Sequence, residues 1–406
     1  RFGSKIVFKI ADKNHSGYPS NSVTLITEKI IQLMCFDAKE PNNSNSDRKQ
    51  YGNNRYQHSN ILQWLNSNAA AGAWYSAKHS ADAPPTSANV WNNYNEYDAW
   101  AGFLAMLDPK FVAELLTTTQ TVARNTVTDG GSYETVTSKM FLPSTTEVGL
   151  ANENNIAEGT LLALFSNDAS RVAYPTAQCV SNADGYTNSG FATSKGWYWW
   201  LRTPYSSSAS SVRNVHSDGS LGYSLAYSGD RGVRPLCNLK SSILVSDSPN
   251  SDGNYTVIYN SAPSAPPSIT APATCYSGQN INISCAAATD PDGDALTYCF
   301  ERSYNSGAWT QVQASASRTF TEAVSTAWNT LKYRVRAKDS YGNYSAYTTS
   351  GDIAVIHNQP PVISGSNADL GIKRADFTYQ YSVTDPDGDT VNVVEKIDGK
   401  TIATKN

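Results

Sequence analysis

The sequence predicts a mixed α+β globular head over residues 1–260, followed by tandem all-β sandwiches of the immunoglobulin or fibronectin type at 261–357 and 358–406. Three observations predict this. First, Pro266-Pro267-Ser268-Ile269 returns as Pro360-Pro361-Val362-Ile363, and Thr289-Asp290-Pro291-Asp292-Gly293-Asp294 returns as Thr384-Asp385-Pro386-Asp387-Gly388-Asp389, at offsets of 94 and 95 residues. A period near 100 residues is that of a small β-sandwich. Second, period-two alternation marks half-buried strands: Ile281, Ile283 and Cys285 share one face, as do Leu331, Tyr333, Val335 and Ala337, and again Phe377, Tyr379, Tyr381 and Val383. Third, the Pro/Ser-rich stretch 261–268 reads as a short semi-extended linker, and the sequence before it carries no such repeat.

In chain order, residues 5–10 read as a short strand. Residues 23–34 read as a helix, with Ile26, Ile30, Ile31 and Met34 on one side. Ser59 is placed to cap a helix over 59–65. Residues 98–107 and 109–116 suggest two more helices, the second with Pro109 in its first turn. Ser144-Thr145-Thr146-Glu147 fits a capping box. Residues 197–239 read mostly as strand, with a tight turn at Ser217-Asp218-Gly219, and Asp398-Gly399 signals a hairpin. The last 49 residues are half a sandwich, and the chain begins at Arg1, so a longer parent chain is expected.

Composition narrows the function. With 31 Lys and Arg against 35 Asp and Glu, the net charge of −4 argues against a nucleic-acid binder that works by bulk charge. No apolar run approaches the roughly 20 residues of a membrane-spanning helix. The six cysteines (Cys35, Cys179, Cys237, Cys275, Cys285 and Cys299) contain no CxxC pair, so free, mostly buried thiols are expected. Alternation places Cys285 inward and Cys299 outward, which argues against a bridge between them. The histidines His15, His58, His79, His216 and His357 show no metal-ligand spacing, and neither H-E-x-x-H nor G-x-S-x-G occurs. Glu96, Asp98, Glu147, Glu153 and Glu158 sit where capping or solvated-face roles suffice, although paired carboxylates for glycoside cleavage meet in space rather than in sequence.

The densest motif runs Trp197-Tyr198-Trp199-Trp200-Leu201-Arg202-Thr203-Pro204, then Val212-Arg213-Asn214-Val215, then Asp218-Gly219, and closes on Gly232-Val233-Arg234-Pro235-Leu236-Cys237-Asn238-Leu239. Trp199 with Leu201 and Trp200 with Arg202 occupy opposite faces. Arg202 and Arg234 are expected to meet buried carboxylates or backbone carbonyls. Trp199, Arg202, Asp218, Gly219 and Arg234 form the structural motif.

These residues, with Phe36-Asp37-Ala38, Tyr51-Gly52-Asn53-Asn54, the stretch Ser59-Asn60-Ile61-Leu62-Gln63-Trp64-Leu65-Asn66 and Phe141-Leu142-Pro143-Ser144, carry a resemblance. Over residues 1–245 the chain resembles a domain family of uncharacterised function that is frequent in phages and prophages of gut bacteria. More distantly it is similar to the C-type-lectin-like fold of formylglycine-generating enzymes and of diversified phage receptor-binding proteins. The enzyme branch needs a reactive cysteine pair late in the domain; here Cys237 stands alone there, with Cys179 58 residues earlier. The resemblance therefore implies a non-enzymatic virion protein, a tail or head fibre binding a host-surface glycan or protein and contacting other virion proteins. A homo-oligomer follows, a trimer in the simplest case, though no heptad repeat marks it. A bacterial cell-surface or secreted adhesin and a glycan-degrading enzyme are the alternatives.

Two candidate sites follow. Loop aromatics with Ser and Asn offer large contact area at low entropic cost, which singles out Tyr186, Asn188, Trp197, Tyr205, His216, Tyr223 and Tyr227 as ligand-binding residues. The alternate aspartates Asp290, Asp292 and Asp294, with Asp339 as a distant partner, offer the oxygen ligands calcium takes. The competing reading is an Asp/Gly turn that bonds its own backbone. No other cofactor is expected.

Overall fold

The computed structural model describes residues 5–91, 97, 99–183, 190–365, 374–397 and 399–405. The chain is mostly β with a few short helices and divides into two compact units, Arg1–Tyr259 and Asn260–Asn406. Among the described residues no helix is long and apolar enough to cross a membrane.

The first unit holds two main sheets. One runs Phe8–Lys13, Ser22–Thr27, Leu236–Lys240, Met140–Phe141, all antiparallel. The other runs Gln32–Leu33, Gly232–Val233, Trp199–Pro204, Ser211–Val215, Leu221–Leu225, with Trp199–Pro204 at its centre. Every residue of that central strand is buried, and one core spans both sheets. Burying tryptophan also buries an indole N–H that needs an acceptor. Here backbone carbonyls supply it: Trp199 donates to Arg171 (3.0 Å), Trp200 to Met34 (2.7 Å) and Trp64 to Ala101 (3.0 Å).

Several expectations need correction. Residues 23–34 are not a helix but the strand Ser22–Thr27 and the short strand Gln32–Leu33. Ser22–Thr27 lies between two other strands and is covered on both faces, so its apolar residues run on without alternating, and such a run mimics helical spacing. The strand read at 5–10 begins later, at Phe8–Lys13, with a bulge between Ile10 and Asp12. The helix read at 98–107 shrinks to Phe103–Met106. Ser59 does cap Asn60–Leu65 by accepting from the Leu62 N–H, and Pro109 does open Pro109–Glu114. The capping box also forms, Ser144 Oγ accepting from the Glu147 N–H and Glu147 Oε2 from the Ser144 N–H, but it closes a turn rather than a helix.

That turn aims Glu147 at Arg202. The guanidinium is 1 % exposed and meets the carboxylate in a fork, Nη1 to Oε2 at 2.6 Å and Nη2 to Oε1 at 2.8 Å. It also donates to the carbonyls of Leu142, Glu158 and Thr121. Tyr18 donates to Glu147 Oε1, and a Cβ at Gly159 (φ +114°) would come within 2.6 Å of the same oxygen. Nearby, Glu158 accepts from the Ala123 N–H and from Thr203. Glu147, Glu153 and Glu158 are thus all buried, not on solvated faces. Arg234 meets no carboxylate in this way. Its Nε donates to the Thr27 carbonyl at 2.9 Å and its guanidinium lies over the rings of Trp199 and Phe165; burial pulls it down to about 10.

The second unit begins with a two-sheet sandwich. One sheet is Ile269–Thr270, Asn280–Cys285, Thr319–Ala323; the other is built on Thr297–Tyr304 and Thr330–Lys338. Ile281, Ile283, Phe300, Leu331, Tyr333 and Val335 fill the space between them. Cys299 faces away from that core, as the alternation predicts, and is nonetheless buried. The outer face of its sheet carries a ladder, Arg334 over Trp309 and Tyr347 and Arg336 over Tyr344 and Tyr347, and long side chains of this kind cover what lies beneath them. All six cysteines are free. Beyond residue 357 the strands Val362–Ser364 and Ser382–Thr384 pair, as do Val393–Ile397 and Lys400–Lys405; the strand read at 377–383 is confined to Ser382–Thr384, and Asp398 lies outside the described residues.

Burial pushes the Glu158 carboxyl from its ordinary 4.5 up to about 7, with the Arg202 charge opposing. Between those values the folded chain keeps a proton that the unfolded chain releases, so stability is full below pH 4.5 and falls as pH rises towards 7. Glu158→Gln should flatten the wild-type decline in denaturation free energy across that window by about 3 kcal/mol. Parallel wild-type and variant curves would contradict this assignment.

Candidate functional site

The ligand-binding candidates do not form one surface. Tyr186 and Asn188 lie outside the described residues. Trp197 is buried, packed edge-on against Phe191 at 5.0 Å, with its indole donating to the Asp230 carbonyl at 2.8 Å; it is a core residue. The other four fall into three groups, set by the hairpin Ser211–Val215 and Leu221–Leu225.

Alternate side chains of a strand point to opposite faces. Tyr223 therefore leaves the hairpin on one face, while Gly222 and Ser224 look to the other. Tyr223 is 56 % exposed and stacks on Tyr205, ring centroids 4.7 Å apart and planes 23° from parallel. Arg213, directly across the ladder from Tyr223, lays its guanidinium 4.4 Å from the Tyr205 ring centroid and donates from Nε to Glu153 Oε1 at 2.6 Å. Glu153 in turn accepts from the Ser206 N–H. The result is a ledge of two stacked phenols backed by an anchored cation.

His216 belongs to the opposite face. A Cβ at Gly222 would come within 1.8 Å of its Nε2, so only glycine leaves room for the ring. It packs against Tyr198 at 4.9 Å, and Arg231 covers that tyrosine. Tyr227 stands apart from both, edge-on to Tyr51 at 5.6 Å with Lys39 over it. Asp218 and Gly219 form the hairpin turn: Asp218 Oδ1 accepts from the Ser220 N–H and hydroxyl, which hold its carboxyl below the usual range.

Sequence reasoning did not single out Arg213 and Glu153 as site residues. The signal in the sequence is a lone arginine between Val212 and Val215, but its partner across the ladder is set by register, which the turn determines.

In the second unit the DPDGD turn does two things. Asp290 Oδ1 accepts from the N–H groups of Asp292 (2.9 Å) and Asp294 (3.1 Å), and Asp385 does the same for Asp387 (2.9 Å) and Asp389 (3.3 Å) in the repeat. Asp292 reaches back to the Ser261 N–H at 2.6 Å, as Asp387 reaches Gln359. The stretch 261–268 is therefore fastened to its sandwich, through Ser264 and Thr289 as well. Three aspartates were expected to converge; instead Asp292 turns to backbone and Asp339 takes its place. One carboxylate oxygen each from Asp290, Asp294 and Asp339 lie within 4.8 Å of one another. Asp290 Oδ2 and Asp294 Oδ2 are buried atoms without a hydrogen-bond partner. Such an all-oxygen set suits a hard cation.

No curated protein matches the chain. Among solved structures it is similar to the PKD domain of an M14-like peptidase from a Thermoplasmatales archaeon (26 % identity, 24 % of this chain and 97 % of that one, TM-score 0.19). It is also similar to an Fn3-like protein from Clostridium thermocellum (23 % identity, 25 % of this chain and 98 % of that one, TM-score 0.18). A third likeness is to the twitchin kinase region from C. elegans (15 % identity, 23 % of this chain, TM-score 0.21), of which the chain spans 17 %. A family model described as "Domain of unknown function (DUF6273)" matches residues 21–241. That match covers more than half of the sequence, and the chain belongs to the DUF6273 family.

Proposed function

We propose that this chain is a non-enzymatic adhesion protein of the virion-fibre type. Its first unit, with a C-type-lectin-like fold, binds a host-surface glycan or protein, and its second is a spacer of fibronectin-like or immunoglobulin-like modules. The observation that carries the reading is the Tyr205–Tyr223–Arg213 ledge. It presents the exposed Tyr223 ring, backed by the half-buried Tyr205, on a hairpin, and an aromatic face of this kind suits sugar rings and protein anchors alike. Three carboxylates considered for glycoside cleavage already have partners: Glu147 on Arg202, Glu158 on Thr203 and the Ala123 N–H, Glu153 on Arg213. Those engagements favour adhesion over the glycan-degrading alternative. Glu96 and Asp98 lie outside the described residues.

The test is binding of the labelled full chain to intact cells of candidate gut-bacterial hosts. Replacing Tyr205 and Tyr223 together by alanine should lower strain-selective binding at least about tenfold, on the scale of an interface hot spot, with the melting temperature little changed. Unchanged binding would overturn the ledge, and a parallel loss in Tyr186→Ala with Asn188→Ala would move recognition to the 184–189 segment. Binding to no strain, with particle incorporation intact, would point to a purely structural virion role.

We also propose that Asp290, Asp294 and Asp339 hold calcium. Chelator should lower the melting temperature of the second unit, calcium should restore it, and Asp339→Asn should abolish the difference. A chelator-insensitive wild type would exclude the site.

A further inference from the structure

The first unit contains a second cluster, remote in sequence from the ledge and from the Arg202 network. Glu40 and Asp82 have side chains only 1 % and 2 % exposed, and both face His79. His79 Nε2 lies 3.0 Å from Glu40 Oε1 and 3.5 Å from Asp82 Oδ1. One donor atom from each of the three residues lies within 4.8 Å of the others.

Amide and backbone donors meet Glu40 and Asp82, but hydrogen bonding leaves the imidazole unmet. His79 Nε2 is buried and has no hydrogen-bond partner, although Glu40 Oε1 lies 3.0 Å away. Charge is only partly balanced, since His79 is the one cation-forming side chain that pairs with Glu40 and Asp82 among the described residues. Asp37 lies in the same neighbourhood as Glu40 and Asp82. Among the described residues no lysine or arginine pairs with any of the three. Arg48 and Arg55, which act on the adjoining His58, are bound to Asp129 and Glu134. Two buried carboxylates that share one imidazole are short of positive charge, and such burial is costly.

A metal ion answers both points. Ligand atoms about 2.0–2.2 Å from a first-row divalent ion stand roughly 2.9–3.5 Å apart, from octahedral to tetrahedral geometry, and the two observed separations are of that size. One imidazole nitrogen and two carboxylate oxygens suit zinc or a similar transition ion better than calcium. We propose that Glu40, His79 and Asp82 form a binding site for a divalent transition-metal ion. The side chains of Asn53 and Asn43 donate to Glu40 and fix its rotamer, the outer support that metal ligands usually have. Asp37 accepts from the N–H groups of Asn53 and Asn60, tying the same loop to the helix Asn60–Leu65. Metal on Nε2 puts the ring proton on Nδ1, so the 3.3 Å contact from the Ala81 N–H to Nδ1 opens on binding. The His58 ring packs 4.9 Å from that of His79 and covers one side of it.

The experiment is zinc titration of the tag-free full chain after chelator treatment, followed by calorimetry and by melting. The wild type should bind one zinc at this site and melt higher with it. His79→Ala and Asp82→Asn should each weaken that event at least tenfold, whereas Asp339→Asn in the second unit should not. Circular dichroism of the metal-free variants checks that they fold. If His79→Ala does not fold, cobalt substitution of the wild type supplies the readout, since imidazole ligation perturbs its visible bands and Asp82→Asn shifts them. No saturable zinc binding by the wild type, or unchanged affinity in the folded variants, would overturn the site.

Discussion

Burying a guanidinium at the centre of a sheet is the constraint on which the first unit depends. Arg202 has five N–H donors and a full charge, and leaving either unmet would outweigh the packing around it. The chain meets them from three separate stretches: the Thr121 carbonyl, the segment 142–147 with the Leu142 carbonyl and the Glu147 carboxylate, and the carbonyl of Glu158. Each stretch must be in place for the strand Trp199–Pro204 to be buried on both faces. The close approach at Gly159 and the Tyr18 hydroxyl on Glu147 are further consequences of the same charge.

This arrangement separates scaffold from surface. Inside, the tryptophans and Arg202 spend their polar groups on backbone carbonyls and on Glu147, so they have nothing left to offer a ligand. Outside, the hairpin Ser211–Val215 and Leu221–Leu225 is fixed along one side by the central strand and turns Tyr223 outward on the other. Arg213 is held by Glu153 and so stacks on Tyr205 without wandering. The hairpin thus carries the exposed Tyr223 on a fixed support.

Local rules made part of this legible in the sequence. Ser59 and Pro109 mark helix starts because their chemistry acts within one turn. Ile281 and Ile283, like Leu331, Tyr333 and Val335, alternate because one face of each strand meets water or polar side chains. The DPDGD turns repeat because Asp290 and Asp385 bond their own backbone. What the sequence hid is whatever depends on distant partners. Ser22–Thr27 lost its alternation because two sheet neighbours and two covered faces leave no polar side. Cys299 looked outward, and does point that way, but the arginine and tyrosine ladder covers it. Glu147 looked like a cap and is one, yet both of its carboxylate oxygens also serve a residue 55 positions away. Likewise His58 and His79, unremarkable in spacing, are brought side by side by the fold.

The Arg202–Glu147 pair acts as one buried unit that holds the scaffold together. A double-mutant cycle with Arg202→Met and Glu147→Gln tests it most directly, read from equilibrium unfolding of the full chain's first transition. Each single change leaves a buried partner unmet and should cost about 3–5 kcal/mol, while the double variant should cost much less than their sum, a coupling of at least about 2 kcal/mol. Additive losses would mean that the two side chains act separately, and the scaffold would then need another explanation.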